Sequence, residues 1–192
     1  MPRPRREDAQ DTRQLALGAA LVLLHQYGYL GVSMDAVAKA IGVRKASLYH
    51  HFPGGKEQMI LEIAERAIAE DRVGIASAIK AHTTARDRLT AVATHVFSGS
   101  VQTGRVLRDA LRFMTQEHQD RIFTNFYQQY FLEVQAVMRE GIESNELKNH
   151  DSERSAWAFW DLVSEMGTGG ELPRDAALAT WIVNLMIDGL RA

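Results

Sequence analysis

The chain is 192 residues long, 46% apolar and 24% charged, with ordinary glycine and proline usage, which excludes a disordered or collagen-like polymer and fits one compact domain or a small module joined to a larger one. It contains no cysteine, so a disulfide framework, a cysteine zinc site and a thiol nucleophile are excluded, and a reducing cytoplasm suits it. The net charge of −2 conceals a polarity: residues 1–56 carry 8 Lys/Arg against 4 Asp/Glu, net +4, and residues 57–192 carry 14 against 20, net −6, a basic end on an acidic body that points to a polyanion met at one end only.

The opening Pro2-Arg3-Pro4-Arg5-Arg6 lacks the apolar core that follows the basic region of a signal peptide. No later run reaches 18 uncharged apolar residues, so a soluble, unprocessed protein with no membrane partner is expected. The arm of Arg3, Arg5 and Arg6 is of a kind that reaches into a DNA minor groove, though an ordinary terminus has the same composition.

Residues 54–172 contain no proline and are rich in helix formers, and strand-like alternation is hard to find, so the fold class is all-α with about nine helices. The first helix is expected from residue 8 or 11 to 27, with Leu15, Ala19, Leu23 and Leu24 turned inward and Gly28 just past its end. Ser33 is a good N-cap for a short helix carrying Asp35, Val37, Ala38 and Ile41 and stopping at Gly42. A further short helix spans 45–51, with Leu48 and Phe52 inward, and ends at Pro53-Gly54-Gly55. A long helix follows over about 56–80. The rest divides into helices near 84–101, 104–117, 120–145, 152–166 and 174–190, separated by Gly and polar clusters at 83–84, 99–104, 143–152 and 167–170. Gly74 and Gly99 are places where a helix could split.

Two short helices joined by a glycine-containing turn form a helix-turn-helix, whose second helix lies in a DNA major groove. Ala38 and Ala40 keep the first helix slim, Gly42 allows the reversal, and Ile41, Val43 and Leu48 tie the pair inward. Left outward are Arg44, Lys45, Ser47, Tyr49, His50 and at the margin His51, all able to donate to phosphates or base edges. No acidic residue occurs from Ala36 to Gly55, as a surface that must approach phosphates requires.

The series Ser33-Met34-Asp35-Ala36-Val37-Ala38, Ile41-Gly42-Val43, Ser47-Leu48-Tyr49-His50-His51-Phe52 and Lys56-Glu57 resembles the DNA-binding module of TetR-family transcriptional regulators over residues 10–62. The resemblance implies that Ser33 and Tyr49 touch phosphates, that Lys45, Ala46, Ser47 and His50 face the groove, and that Lys56 clamps a phosphate. It implies further a DNA-binding domain at 1–55, an effector-binding and dimerisation domain at 56–192, and a repressor released from its operator by a small molecule. Lys56 carries an independent hint: a cation in the first turn of a helix opposes its dipole by some tenths of a kcal/mol, a conflict that a nearby phosphate removes.

In the body, the helix expected over 120–145 has an apolar arc wider than half its circumference, so it contacts several neighbours or lines a cavity. Phe97, Phe113, Met114, Phe123, Phe126, Tyr127, Tyr130 and Trp157 are candidates for a pocket that takes a largely apolar effector, or for a packed core. The last two helices are apolar on more than one side, so Trp160, Val163, Trp181, Ile182, Leu185 and Met186 are candidates for the interface of a two-fold homodimer. Two subunits present two reading helices to a near-palindromic duplex. No catalytic residue, metal site or cofactor is indicated: His82, His95, His118 and His150 lack metal-ligand spacing, and Gly54-Gly55-Lys56 lacks the context of a phosphate-binding loop. The alternative is an all-α ligand-binding or scaffold protein that keeps the fold without regulating transcription.

Overall fold

A computed structural model describes residues 6–98, 107, 109–166 and 173–190, with the side chains of those between 11 and 189. The arm residues Arg3 and Arg5, the side chain of Arg6 and the connectors at 99–104 and 167–170 lie outside this description. The described residues form helices and no β-strand: α1 Arg6–Gly31, α2 Met34–Ile41, α3 Lys45–His51, α4 Gly55–Lys80, α5 Ala85–Ser98, α6 Gln116–Phe126, a π-helical segment Tyr127–Phe131, α7 Leu132–Glu143, α8 Ser152–Met166 and α9 Ala176–Leu190. Two compact units result, one of residues 1–67 with 102–122 and the other of 68–101 with 123–192. The fold is all-α.

In the first unit, α1 turns Ala16, Leu17, Ala20 and Leu24 inward. Leu15 is 60% exposed, which corrects the expected stripe: the buried face is set by Leu17 and Leu24, one heptad apart, and Leu15 falls off it. Gly28 adopts φ 65° and ψ −175°, so regular helix ends at Tyr27 as expected, although helical pairing resumes to Gly31. Only glycine takes such a backbone freely. Leu48 and Phe52, both fully buried, anchor α3 in a core that includes Val37, Met59 and Ile60. Arg13 lies 4.8 Å from the centre of the Phe52 ring and pairs with Glu62, which also accepts from Arg66 at 2.8 Å.

In the second unit, α9 packs along α5, and α7 lies against α5 and α8. Their core contains Leu89, Val92, Phe131, Val134, Met138, Phe159, Val163, Ile182 and Val183. Helix starts are capped by acidic side chains: Asp151 accepts from the amides of Glu153 and Arg154, Asp175 from that of Leu178, and Glu146 from those of Ala85 and Arg86. Gly74 does not split α4. A side chain there would collide with the His95 ring, so the glycine makes room for α5.

Two expectations fail on the segment from 104 to 145. The chain turns at Phe113 and Met114, and α6 begins at Gln116 behind Thr115, whose carbonyl accepts from Gln119, so no single helix covers 104–117. The helix expected over 120–145 is interrupted by the π segment. Its apolar residues recur at spacings of four (Phe123, Tyr127, Phe131 and Phe126, Tyr130), which overshoot an α-helical turn by about 40° each time, and the wider π turn takes up that drift.

Candidate nucleic-acid interface

The reading element is built from local rules. Ser33 is extended, at φ −140° and ψ 155°, and its Oγ accepts the Ala36 amide at 3.1 Å, so α2 begins there. At the other end Gly42 is left-handed (φ 70°), its amide donates to the Lys39 carbonyl and that of Val43 to Ala38 at 3.0 Å. This is a Schellman closure, which reverses the chain within two residues. Arg44 then starts α3, accepting from Ser47 at 2.9 Å. Leu48 and Phe52, four residues apart, face the core and fix the rotation of α3.

That rotation decides what points outward. Arg44, Lys45, Ala46, Ser47, Tyr49 and His50 are all exposed, with Tyr49 at 43%, and His51 is half-buried. Ser33 is exposed beside them; its cap uses a lone pair and leaves the hydroxyl proton free to donate. Lys45 donates to Asp35 at 2.6 Å across the turn, and this bond and the charge of Asp35 raise the lysine pKa. Both groups are largely exposed, and such a pair is weak enough to be exchanged for phosphate. Sequence reasoning missed the pair because Asp35 lies one residue outside the stretch free of carboxylates.

Lys56, in the first turn of α4, is half-buried. Its Nζ donates to the Tyr29 carbonyl at 3.3 Å and sits 4.0 Å above the centre of the Tyr29 ring. The other partner of that ring is Phe113, stacked at 5.2 Å with an interplanar angle of 4°. Glu57 interacts with the Tyr29 hydroxyl and lies 3.2 Å from Nδ1 of His118; burial and Glu57 together push the Tyr29 pKa up. The sequence signal for Tyr29 was the aromatic directly after Gly28, which nothing in helical periodicity explains.

The pocket candidates separate. Phe113 and Met114 belong to the first unit, Phe113 on Tyr29 and 54% exposed, Met114 buried, which corrects their placement in the body interior. Phe97, Phe123, Phe126, Tyr127, Tyr130 and Trp157 belong to the second. There Trp157 is ringed by Phe131 at 4.2 Å, Phe123 at 6.0 Å, Phe126 at 6.2 Å and Tyr127 at 6.4 Å. Tyr130 donates to the Ile68 carbonyl at 2.9 Å, and burial pushes its pKa far up. Asp71, 3.4 Å from that hydroxyl and 3.8 Å from the His95 ring, has its pKa raised by burial. Nε2 of His95 and Nε1 of Trp160 are buried without a hydrogen-bond partner among the described residues.

The candidates for a subunit interface also divide. Trp160, Val163 and Ile182 are buried within their own unit, so they are removed from a partner-facing surface: each is taken up by the core between α5, α8 and α9. Trp181 and Leu185 are 52% and 56% exposed, and Met186 is half-buried. No group of three or more potential metal ligands is found among the described residues, and none of their helices is long and apolar enough to cross a membrane.

Residues 16–63 match the family described as bacterial regulatory proteins, tetR family. The HTH-type transcriptional regulator LmrA of Bacillus subtilis is 40% identical over 73 residues, 38% of this chain and 39% of LmrA, so the alignment spans about two fifths of that relative. Among solved structures, the regulator FadR of Bacillus subtilis, in complex with stearoyl-CoA, superimposes with a TM-score of 0.81 at 21% identity over 93% of this chain and 99% of its own. AibR, in complex with isovaleryl coenzyme A and operator DNA, does so with a TM-score of 0.75 at 21% identity over 91% and 97%. These two likenesses establish the fold over nearly the whole length, and the match over residues 16–63 shows that the segment from α1 into α4 is similar to the DNA-binding module of the tetR family of bacterial regulatory proteins.

Proposed function

We propose that this protein is a homodimeric transcriptional regulator that binds a near-palindromic operator through α3 and is released from it by a small-molecule effector, acting as a repressor. The observation that carries the reading is the outward face of α3: Arg44, Lys45, Ser47, Tyr49 and His50 exposed together on a helix whose rotation two buried residues fix. In this reading Arg44, Lys45, Ala46, Ser47 and His50 address base edges, and Ser33, Tyr49 and Lys56 hold phosphates. Functionally, residues 1–55 read DNA, and residues 56–192 bind the effector and the second subunit.

The effector is taken as largely apolar, in keeping with the rings around Trp157, and with at least one hydrogen-bond acceptor. An unpartnered buried N–H such as that of Trp160 costs about 1–3 kcal/mol, which an acceptor on a ligand offsets. The acyl thioesters bound to FadR and AibR have both features. Release requires unequal effector affinity for two arrangements of the dimer, only one of which fits the operator. Catalysis has no role in this reading, which is supported by the relatives matched at the N-terminal segment being transcriptional regulators.

The deciding experiment is selection of genomic fragments by the purified protein, followed by binding at several salt concentrations. A palindromic fragment is expected to be retained, with log affinity falling linearly against log salt. Absence of salt-sensitive binding to any fragment would leave a ligand-binding scaffold in its place.

A further inference from the structure

Lys56 is placed unusually for a surface cation. It lies in the first turn of a helix, where the dipole repels positive charge, and no carboxylate pairs with it among the described residues. The neighbouring carboxylate, Glu57, is engaged elsewhere, between the Tyr29 hydroxyl and His118. What holds the ammonium instead is one residue seen twice: the carbonyl of Tyr29 at 3.3 Å and the face of its ring at 4.0 Å. The kink at Gly28 sets Tyr29 out of line with α1, and Phe113 lies flat on its ring. Both acceptors are neutral, so Lys56 keeps its full charge for an anion while losing the rotamer freedom that a solvated lysine would have to give up on binding.

We propose that Tyr29 and Phe113 are positioning residues for the phosphate contact of Lys56, a stacked platform that fixes the ammonium before DNA arrives. The inference rests on the DNA-binding reading above and assigns to it two residues that do not touch DNA. It also gives the later part of the chain a hold on the interface: Phe113, and His118 through Glu57, reach the start of α4 from the stretch 109–122, so displacement of that stretch unseats the platform without altering α3.

Phe113 is more than half exposed, so Phe113→Ala removes the upper ring with little loss of core. Binding of Lys56→Ala, Phe113→Ala and the double variant to the selected operator is measured across salt. Lys56→Ala lowers the salt slope by about one. Phe113→Ala lowers it toward the same value and weakens binding ~3- to 10-fold, and the double variant binds no more weakly than Lys56→Ala. In the free protein, the Lys56 ε-methylene protons are shifted upfield by the Tyr29 ring; the shift persists in Tyr29→Phe and is lost in Tyr29→Leu. Additive losses in the double variant, or an unchanged slope in Phe113→Ala while Lys56→Ala behaves as stated, overturn the positioning role alone. If wild-type protein binds no duplex although the upfield shift is present, the DNA reading fails and the positioning role with it.

Discussion

In the proposed reading Ser33 has two tasks, and its hydroxyl can do both, because the cap consumes an acceptor site and a phosphate would take the donor. Ser33→Ala removes both and should destabilise the protein by about 1 kcal/mol. Ser33→Gly restores most of the cap, since glycine at this position costs only a few tenths of a kcal/mol, but has no hydroxyl. Near-native thermal stability with operator affinity as low as that of Ser33→Ala is therefore expected for the glycine variant; native affinity would reduce Ser33 to a cap. Asp71 offers a test in the second unit. Burial raises its pKa above the ordinary 3.8, so the folded state holds that proton more tightly than the unfolded chain does. Its stabilising contribution is full below the unfolded pKa and is lost as pH rises through the folded one. Asp71→Asn, which stays neutral, is accordingly expected to be more stable than wild type at neutral pH, with the advantage shrinking toward pH 3.8 in urea titrations.

At the scale of elements, legibility followed how local the determining interaction was. The boundaries of α2 and α3 rest on Ser33 and Gly42, which cap and reverse the backbone within three residues of themselves, so the sequence exposes them directly. The inward stripe of α1 depends on where the helices packed on it, α2 and α3, lie, and propensity does not contain that information, so Leu15 falls outside the stripe it suggests. Tyr29 stood out only as an aromatic after Gly28, and its role was hidden for the same reason: its ring is held by Phe113, distant in sequence. The π segment was half legible. An apolar arc too wide for one helix face was the trace of an extra residue in the turn, not of a helix with two faces. Deleting Gln128, which is exposed, should convert the π turn to α and rotate Phe123, Phe126 and Tyr127 by about 100° relative to α7. The rings would leave Trp157, and the near-UV circular dichroism of the aromatic cluster should collapse with a loss on the order of 2–4 kcal/mol. An unchanged spectrum would mean that the cluster does not depend on this register.

At the scale of the whole molecule, the apolar content of α8 and α9 predicted a surplus face, and the structure narrows that face. Trp160, Val163 and Ile182 are consumed by the core of their own unit, while Trp181 and Leu185, four residues apart, share one exposed side of α9. Two large apolar side chains half out of solvent contact gain by burial against a second copy, at roughly 25 cal/mol per Å² of area removed from water. A regulator that reads a palindrome needs that second copy for affinity as well as for symmetry, because the second half-site is bound as an intramolecular event once the first is occupied. Leu185→Glu places a charge where the partner would bury a leucine, yet disturbs nothing inside the protomer, since the position is 56% exposed. Sedimentation should show a monomer with unchanged helicity, and operator affinity should fall toward that of an isolated half-site. A variant that stays dimeric would put the subunit contact on another face, and one that becomes monomeric while binding the palindrome at full strength would separate dimerisation from DNA reading.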